Sequence, residues 1–166
     1  MTRRTFGLGL AVLLASSSCA SSLPALANTR PSPEALAGAV LEALVQRDRA
    51  MLDALALNEQ EFRDHVWPEL PASRPERNLP FSYVWGDLHQ KSEGALAQTL
   101  AARGGQRYDL VSVRGTGETT DYQTYRVHRE TVLVVRDPAG VQQELKLFGS
   151  MLEKNGMWKV FSYVND

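Results

Sequence analysis

Apolar side chains recur at helical spacing in the first half of this 166-residue chain, and a strand-like alternation replaces this spacing in the second half. Over residues 34–55 they return every three or four positions, which predicts an amphipathic helix with Ser32 as its N-cap. Asn58, followed three residues later by Glu61, is typical of a capping box and predicts a second helix that ends at Pro68.

A third helix is predicted over residues 81–103, because the Gly-Gly pair that follows is a strong C-terminal signal. The rest of the chain is rich in Val, Tyr, Thr and Phe, and turns such as GTGET and Asn155-Gly156 divide it into predicted strands at 107–115, 121–137, 142–155 and 157–165. Short turns require antiparallel neighbours. The sequence therefore predicts an α+β fold, with three N-terminal helices packed on a curved antiparallel sheet of about four strands.

Residues 1–27 have the pattern of a bacterial signal peptide. Arg3 and Arg4 precede a ten-residue apolar run at 6–15, which is too short to span a membrane but suits a signal peptide. The stretch from Thr2 to Phe6 resembles the twin-arginine signal, which implies export of an already folded protein. We therefore expect a periplasmic protein.

Two cleavage sites are compatible with this leader. Ala25-Leu26-Ala27 offers the small residues that signal peptidase requires, and a cut after Ala27 would release a soluble periplasmic product. The residues before Cys19 loosely resemble a lipobox, so a cut there would leave a lipid-modified Cys19 and a membrane-anchored lipoprotein. Residues 28–33 are predicted to be a short tether and residues 34–166 a single α+β domain.

Charge and cysteine content exclude several function classes for the mature domain. Removing residues 1–27 takes away two arginines and no acid, which changes the formal net charge from −1 to −3 and argues against a nucleic-acid partner. No cysteine follows Cys19, which excludes disulfides, thiol catalysis and cysteine-ligated metals downstream of it. The spacing of the other residues predicts no metal site and no cofactor.

The order of the elements resembles the nuclear transport factor two-like superfamily, the cone-shaped fold shared with ketosteroid isomerases and polyketide cyclases. The similarity covers most of residues 34–164, and its last hairpin contains Asn155-Gly156-Met157-Trp158-Lys159, where many members have a turn, Gly-X-Trp-Lys and an apolar strand. The resemblance implies a pocket between the helices and the concave face of the sheet. It also implies frequent homodimers through the sheet, and a mixture of enzymes and binding domains.

Arg129 is the leading candidate for a ligand contact. Strand alternation places it with Tyr125 on a face that is otherwise mostly apolar, where an unpaired charge would be costly. Arg129 is therefore expected to meet a carboxylate, reach the rim of the sheet or bind an anionic ligand. Trp85, early in the third helix, is the third candidate for lining a pocket.

The ionisable residues form no recognisable catalytic set. His65 lies four positions after Glu61 on one helix, which is typical of a solvent-exposed ion pair. His128 lies on a polar stripe of the second predicted strand, which is typical of the solvent face of a sheet. Tyr108 and Asp109 are adjacent on a strand and must point to opposite faces.

Two functions remain. The first is an exported, non-catalytic domain that binds a small molecule or an envelope protein, and it is favoured because the spacing shows no acid–base pair. The second is a small cone-fold enzyme of the isomerase, cyclase or dehydratase type, which needs an acid or histidine buried in the pocket. An inward orientation of Asp87, His89, Asp109 or His128 would favour the enzyme.

Overall fold

The computed structural model describes residues 23–165, so Arg3, Arg4, Cys19 and most of the predicted leader lie outside the described residues. The helices are α1 (Pro33–Gln46), α2 (Arg49–Leu55), α3 (Glu59–Glu61) and α4 (Phe81–Arg103). A π-helical turn (Phe62–Val66) and a 3₁₀ turn (Trp67–Glu69) continue α3, and the strands are β1 (Asp109–Gly115), β2 (Thr119–Asp121), β3 (Arg126–His128), β4 (Thr131–Arg136), β5 (Gln142–Leu145), β6 (Ser150–Lys154) and β7 (Met157–Ser162). The predicted α+β class is confirmed.

The signals that depend only on neighbouring residues are confirmed. Ser32 caps α1 by accepting a hydrogen bond from the Ala35 N–H at 3.1 Å, and Asn58 and Glu61 form the capping box. The third predicted helix has the bounds of α4. Asn155-Gly156 joins β6 to β7, with positive φ angles of 54° and 73° that suit the twist of a tight hairpin.

The first predicted helix is two helices in the structure. Arg47 adopts a left-handed conformation with φ 55° and ends α1. Asp48 then begins α2, because its side chain accepts a hydrogen bond from the Met51 N–H at 2.9 Å. The helical spacing of apolar residues continues across this break, since α1 and α2 face the same core.

The strands form two antiparallel sheets, in the orders β1-β4-β5 and β2-β3-β6-β7. The predicted strand 121–137 is broken at Arg129–Glu130, because Glu130 has a φ of 51° that no strand accommodates. The predicted strand 142–155 is broken between β5 and β6. The predicted turn GTGET does separate β1 from β2, but these two strands do not pair with each other. The chain instead reverses at Tyr122–Tyr125, between β2 and β3, where the Tyr122 N–H donates to the Tyr125 carbonyl at 2.9 Å.

The interruptions between β1 and β2, between β3 and β4 and between β5 and β6 lie side by side. Backbone hydrogen bonds join each of these segments to the next. The Thr116 N–H donates to the Glu130 carbonyl at 3.0 Å, and the Thr131 N–H donates to the Gly149 carbonyl at 3.0 Å. The two sheets are therefore joined along one line of bends. Two apolar clusters result, one beneath α1 and α2 and one between residues 62–66, the start of α4 and the β2-β3-β6-β7 sheet.

Candidate functional site

A cleft of about 420 Å³ opens between α2, the segment that follows it and α4. We call it the α2–α4 cleft. The lining residues that matter for its chemistry are Asp53, Glu59, Trp85, His89, Glu93 and Tyr163. Three of them come from α4 at positions four residues apart, which places their side chains on one face of the helix.

Aromatic rings form one wall of the cleft. The rings of Trp85 and His89 are stacked, with centroids 5.2 Å apart and an interplanar angle of 15°. Trp85 also packs against the ring of Phe62, which is buried in the core, at a centroid distance of 5.3 Å. The indole is therefore held by the core while it also borders the cleft.

Carboxylates give the cleft a negative charge. Arg49 lies beside it, with its Nε 3.6 Å from the Asp53 carboxylate and its guanidinium paired with Glu93. Burial raises the pKa of Asp53, and the negative charge of Glu93 raises it further against the opposing effect of Arg49. With Glu59, which pairs with Arg63 at 2.8 Å, three carboxylates lie at the cleft against the two guanidinium groups of Arg49 and Arg63.

Arg129 does not lie on the apolar face where strand alternation placed it. It is exposed, because the bend at Arg129–Glu130 takes it out of the alternation between β3 and β4. On either side of the bend, Val127 and Thr131 are buried as the alternation predicts. The prediction of its orientation was wrong because it assumed one straight strand.

Tyr125 and Trp85 belong to the same apolar cluster but border different surfaces. Tyr125 is buried, stacks on Tyr122 at 4.5 Å and donates a hydrogen bond from its hydroxyl to the Val66 carbonyl at 3.2 Å. It borders a groove made by residues 121–126, whereas Trp85 borders the α2–α4 cleft. The structure thus does not bring the three predicted site residues together.

Two buried tyrosines predict a loss of stability in alkaline solution. Burial raises the pKa of both Tyr125 and Tyr163 well above 10, whereas the unfolded chain releases these protons near pH 10. The unfolded state binds fewer protons above that pH, so the free energy of unfolding should fall by about 1.4 kcal/mol for each tyrosine by about pH 11. Lys159 opposes this fall in part, because burial lowers its pKa.

Urea titrations at a series of pH values between about 8 and 11 measure this effect. Tyr163→Phe removes one of the two titrating hydroxyl groups, so the free energy of unfolding of this variant should decrease less between pH 8 and 11. A free energy of unfolding that stays constant up to pH 11 would contradict the prediction.

The polar residues that would have favoured an enzyme lie at or near the surface. Asp87, His89 and Asp109 are exposed, and Asp87 pairs with Lys91 at 2.7 Å. His128 is half-buried on the outer side of its sheet, with its Nε2 2.9 Å from the Glu153 carboxylate. The prediction that Tyr108 and Asp109 diverge is confirmed, since Tyr108 is buried.

Glu61 and His65 do not form the predicted solvent-exposed ion pair. Both are buried, and the cationic partner of Glu61 is Lys159, whose Nζ lies 3.3 Å from the carboxylate. Lys159 is only 1% exposed and also donates to the Ala54 carbonyl at 2.9 Å. Sequence reasoning missed this pair, although a lysine inside the mostly apolar MWKVFSYV was a signal for it.

Comparisons with protein-family models, with curated proteins and with solved structures found no match to this chain. Among residues 23–165, no helix is both long and apolar enough to cross a membrane. Within the same residues, no group of three or more His, Cys, Asp or Glu side chains is placed to hold a metal ion.

Proposed function

We propose that this protein is an exported, non-catalytic binding domain and that the α2–α4 cleft is its ligand site. The observation that carries the proposal is the combination of the stacked Trp85 and His89 rings with the carboxylates of Asp53 and Glu93 in one cleft. Export rests on the leader sequence alone.

The ligand that fits this chemistry is a small organic cation with an apolar body. The stacked Trp85 and His89 rings form an aromatic wall against which the apolar body of such a ligand can pack. The carboxylates of Asp53 and Glu93 supply charge-assisted acceptors for an ammonium or guanidinium group. A volume of about 420 Å³ lies within the range of small-molecule sites.

A binding role is supported by the surroundings of the polar groups. Asp87, Asp109 and His128 lie outside the cleft lining, and His89 is exposed and engaged in stacking. Glu61 is buried, but its oxygens already accept hydrogen bonds from backbone N–H groups and pair with Lys159. A proton-transfer role requires a group that is free to reach a substrate.

One observation favours the alternative, a small enzyme of the isomerase, cyclase or dehydratase type. The Asp53 carboxyl lies in a cleft and has a raised pKa, which is a property of general bases. In that case Asp53→Asn would abolish turnover of a carbonyl substrate while leaving its binding largely intact.

The cone-shaped fold is also a proposal. The β2-β3-β6-β7 and β1-β4-β5 sheets meet along one line of bends, and a sheet bent in this way has a concave face. Residues 62–66 and the start of α4 pack on the side where a cone would hold its pocket. The aromatic side chains there fill much of that space.

Binding of matched probes tests the function. We expect phenethylamine to bind and to change the tryptophan fluorescence, and we expect phenylacetate, which has the same apolar body and the opposite charge, not to bind. Trp85→Ala and Asp53→Asn should each weaken phenethylamine binding by about tenfold, since one tenfold step is about 1.4 kcal/mol. Isothermal titration calorimetry measures the affinities.

Asp87→Asn is the control, because Asp87 lies on the same helix but pairs with Lys91 outside the cleft. It should leave binding unchanged. Equal affinity for the amine and the acid, or unchanged affinity in Asp53→Asn, would contradict the proposed ligand class. Absence of binding by either probe to the folded protein would count against the α2–α4 cleft as the ligand site.

A further inference from the structure

Residues 23–30 lie against the domain as an N-terminal strap. Arg30 and Trp158 of β7 form an antiparallel bridge, with N–H to carbonyl hydrogen bonds of 2.8 and 2.7 Å in the two directions. Leu26 packs against the apolar cluster that contains Phe62 and Leu152. The stretch 28–33, predicted from the sequence to be a tether, is thus attached to the sheet at Arg30.

The strap also completes the surroundings of the buried ion pair. The Ala27 N–H donates to Glu61 Oε1 at 2.8 Å, and Lys159 Nζ donates to the Ala27 carbonyl at 2.6 Å. One residue of the strap therefore supplies a donor to the buried anion and an acceptor to the buried cation. Buried charges are stable only when their hydrogen-bonding groups are satisfied in this way.

A second contact secures the start of the strap. His65 is buried, and its Nε2 lies 2.8 Å from the Pro24 carbonyl. Its Nδ1 has no hydrogen-bond partner among the described residues. The Pro24 carbonyl is therefore the hydrogen-bond partner that the structure gives to this buried imidazole.

We propose that the mature protein retains residues 23–27, and that the Ala27–Asn28 bond is not its processing site. Hydrolysis of that bond would remove the hydrogen-bond partners that Ala27 gives to Glu61 and Lys159. It would also create an α-ammonium group on Asn28, close to the position from which the Ala27 carbonyl had been removed, and so place a second positive charge near the buried ammonium group of Lys159.

A cut farther towards the N-terminus avoids this loss. Cleavage before Cys19, the alternative that the leader allows, would leave the whole strap in place. The inference rests on the proposed export and is independent of the α2–α4 cleft.

Intact-mass analysis of the full chain, expressed with its own leader and recovered from the bacterial envelope, tests the inference. We expect a first residue N-terminal to Leu23, with or without an acyl group, and an acylated product would identify Cys19 as the first residue. A product that begins at Pro24 or later would overturn the inference.

Ala27→Leu provides a matched variant. The Ala27 side chain is exposed, so a larger side chain leaves the backbone hydrogen bonds of the strap in place, but it removes the small residue that signal peptidase needs before its cut. We expect processing of this variant to be unchanged. Accumulation of the uncleaved precursor would overturn the inference.

Amide hydrogen exchange separates a failure of this inference from a failure of export. A chain recovered uncleaved from the cytoplasm would contradict export, and its Ala27 and Arg30 amides should still be protected to a degree similar to those of β7. Exchange of these amides at the rate of an unstructured peptide would overturn the role of the strap. Lys159→Met should abolish the protection at Ala27, whereas Lys91→Met, on the surface of α4, should preserve it.

Discussion

Replacing Lys159 with methionine is expected to lower the free energy of unfolding by about 3 to 5 kcal/mol, the usual cost of leaving one member of a buried ion pair without its partner. Lys159 is 1% exposed, and its ammonium group is the cationic partner of the buried Glu61. Methionine fills a similar volume without supplying a donor. The carboxylate of Glu61 and the carbonyls of Ala27 and Ala54 would each lose a hydrogen bond or a charge partner.

Urea or guanidinium denaturation of the two proteins measures this difference. Lys91→Met is the control, because Lys91 pairs with Asp87 on the surface of α4 and should be replaceable with little change. The double variant Glu61→Gln/Lys159→Met removes both charges and should recover part of the loss. Equal stability of Lys159→Met and the control would show that the pair contributes nothing to the fold.

Gly149→Ala is expected to lower the free energy of unfolding by about 3 kcal/mol or more, as overpacking of a rigid interior does. Gly149 lies at the bend between β5 and β6, where the chain that leaves β7 passes close to it. A Cβ at this position would lie 1.8 Å from the Val164 carbonyl oxygen. Because that atom belongs to the backbone, the clash is relieved only if the bend itself moves.

Gly94→Ala is the matched substitution on α4. A Cβ there meets nothing within 4 Å. Alanine in a helix interior raises the free energy of unfolding by about 0.5 to 1 kcal/mol relative to glycine. We therefore expect opposite signs for the same chemical change, measured as shifts of the denaturation midpoint. A stabilised Gly149→Ala protein would contradict the close approach at the bend.

The candidate site could be predicted only in part. Trp85 was identified from its position early in the third helix, and it does border the α2–α4 cleft. Asp53 and Glu93 were not identified, because they lie 40 positions apart in the sequence and meet only when α2 packs beside α4. Arg129 was placed on the apolar face because periodicity along a strand contains no signal for a bend at the next residue.

Local chemistry in the sequence determined several of the boundaries between the elements of this protein. Ser32, Asn58 and Gly104 mark helix ends because side-chain caps and glycine act within a few residues. For the same reason, Asn155-Gly156 fixed the β6–β7 hairpin and the two arginines with their short apolar run predict a leader. Each of these signals involves only neighbouring residues.

The tertiary structure alone decided where the bends lie and which charges are buried. The reversal at Tyr122–Tyr125 is held by Glu69, which accepts hydrogen bonds from the Gln123 and Thr124 backbone N–H groups at 2.5 and 3.2 Å from more than 50 residues away. Glu61 and Lys159 meet only once the sheet, the helices and the N-terminal strap have packed together. Such contacts depend on distances in space between segments that are remote in sequence, and no local pattern contains them.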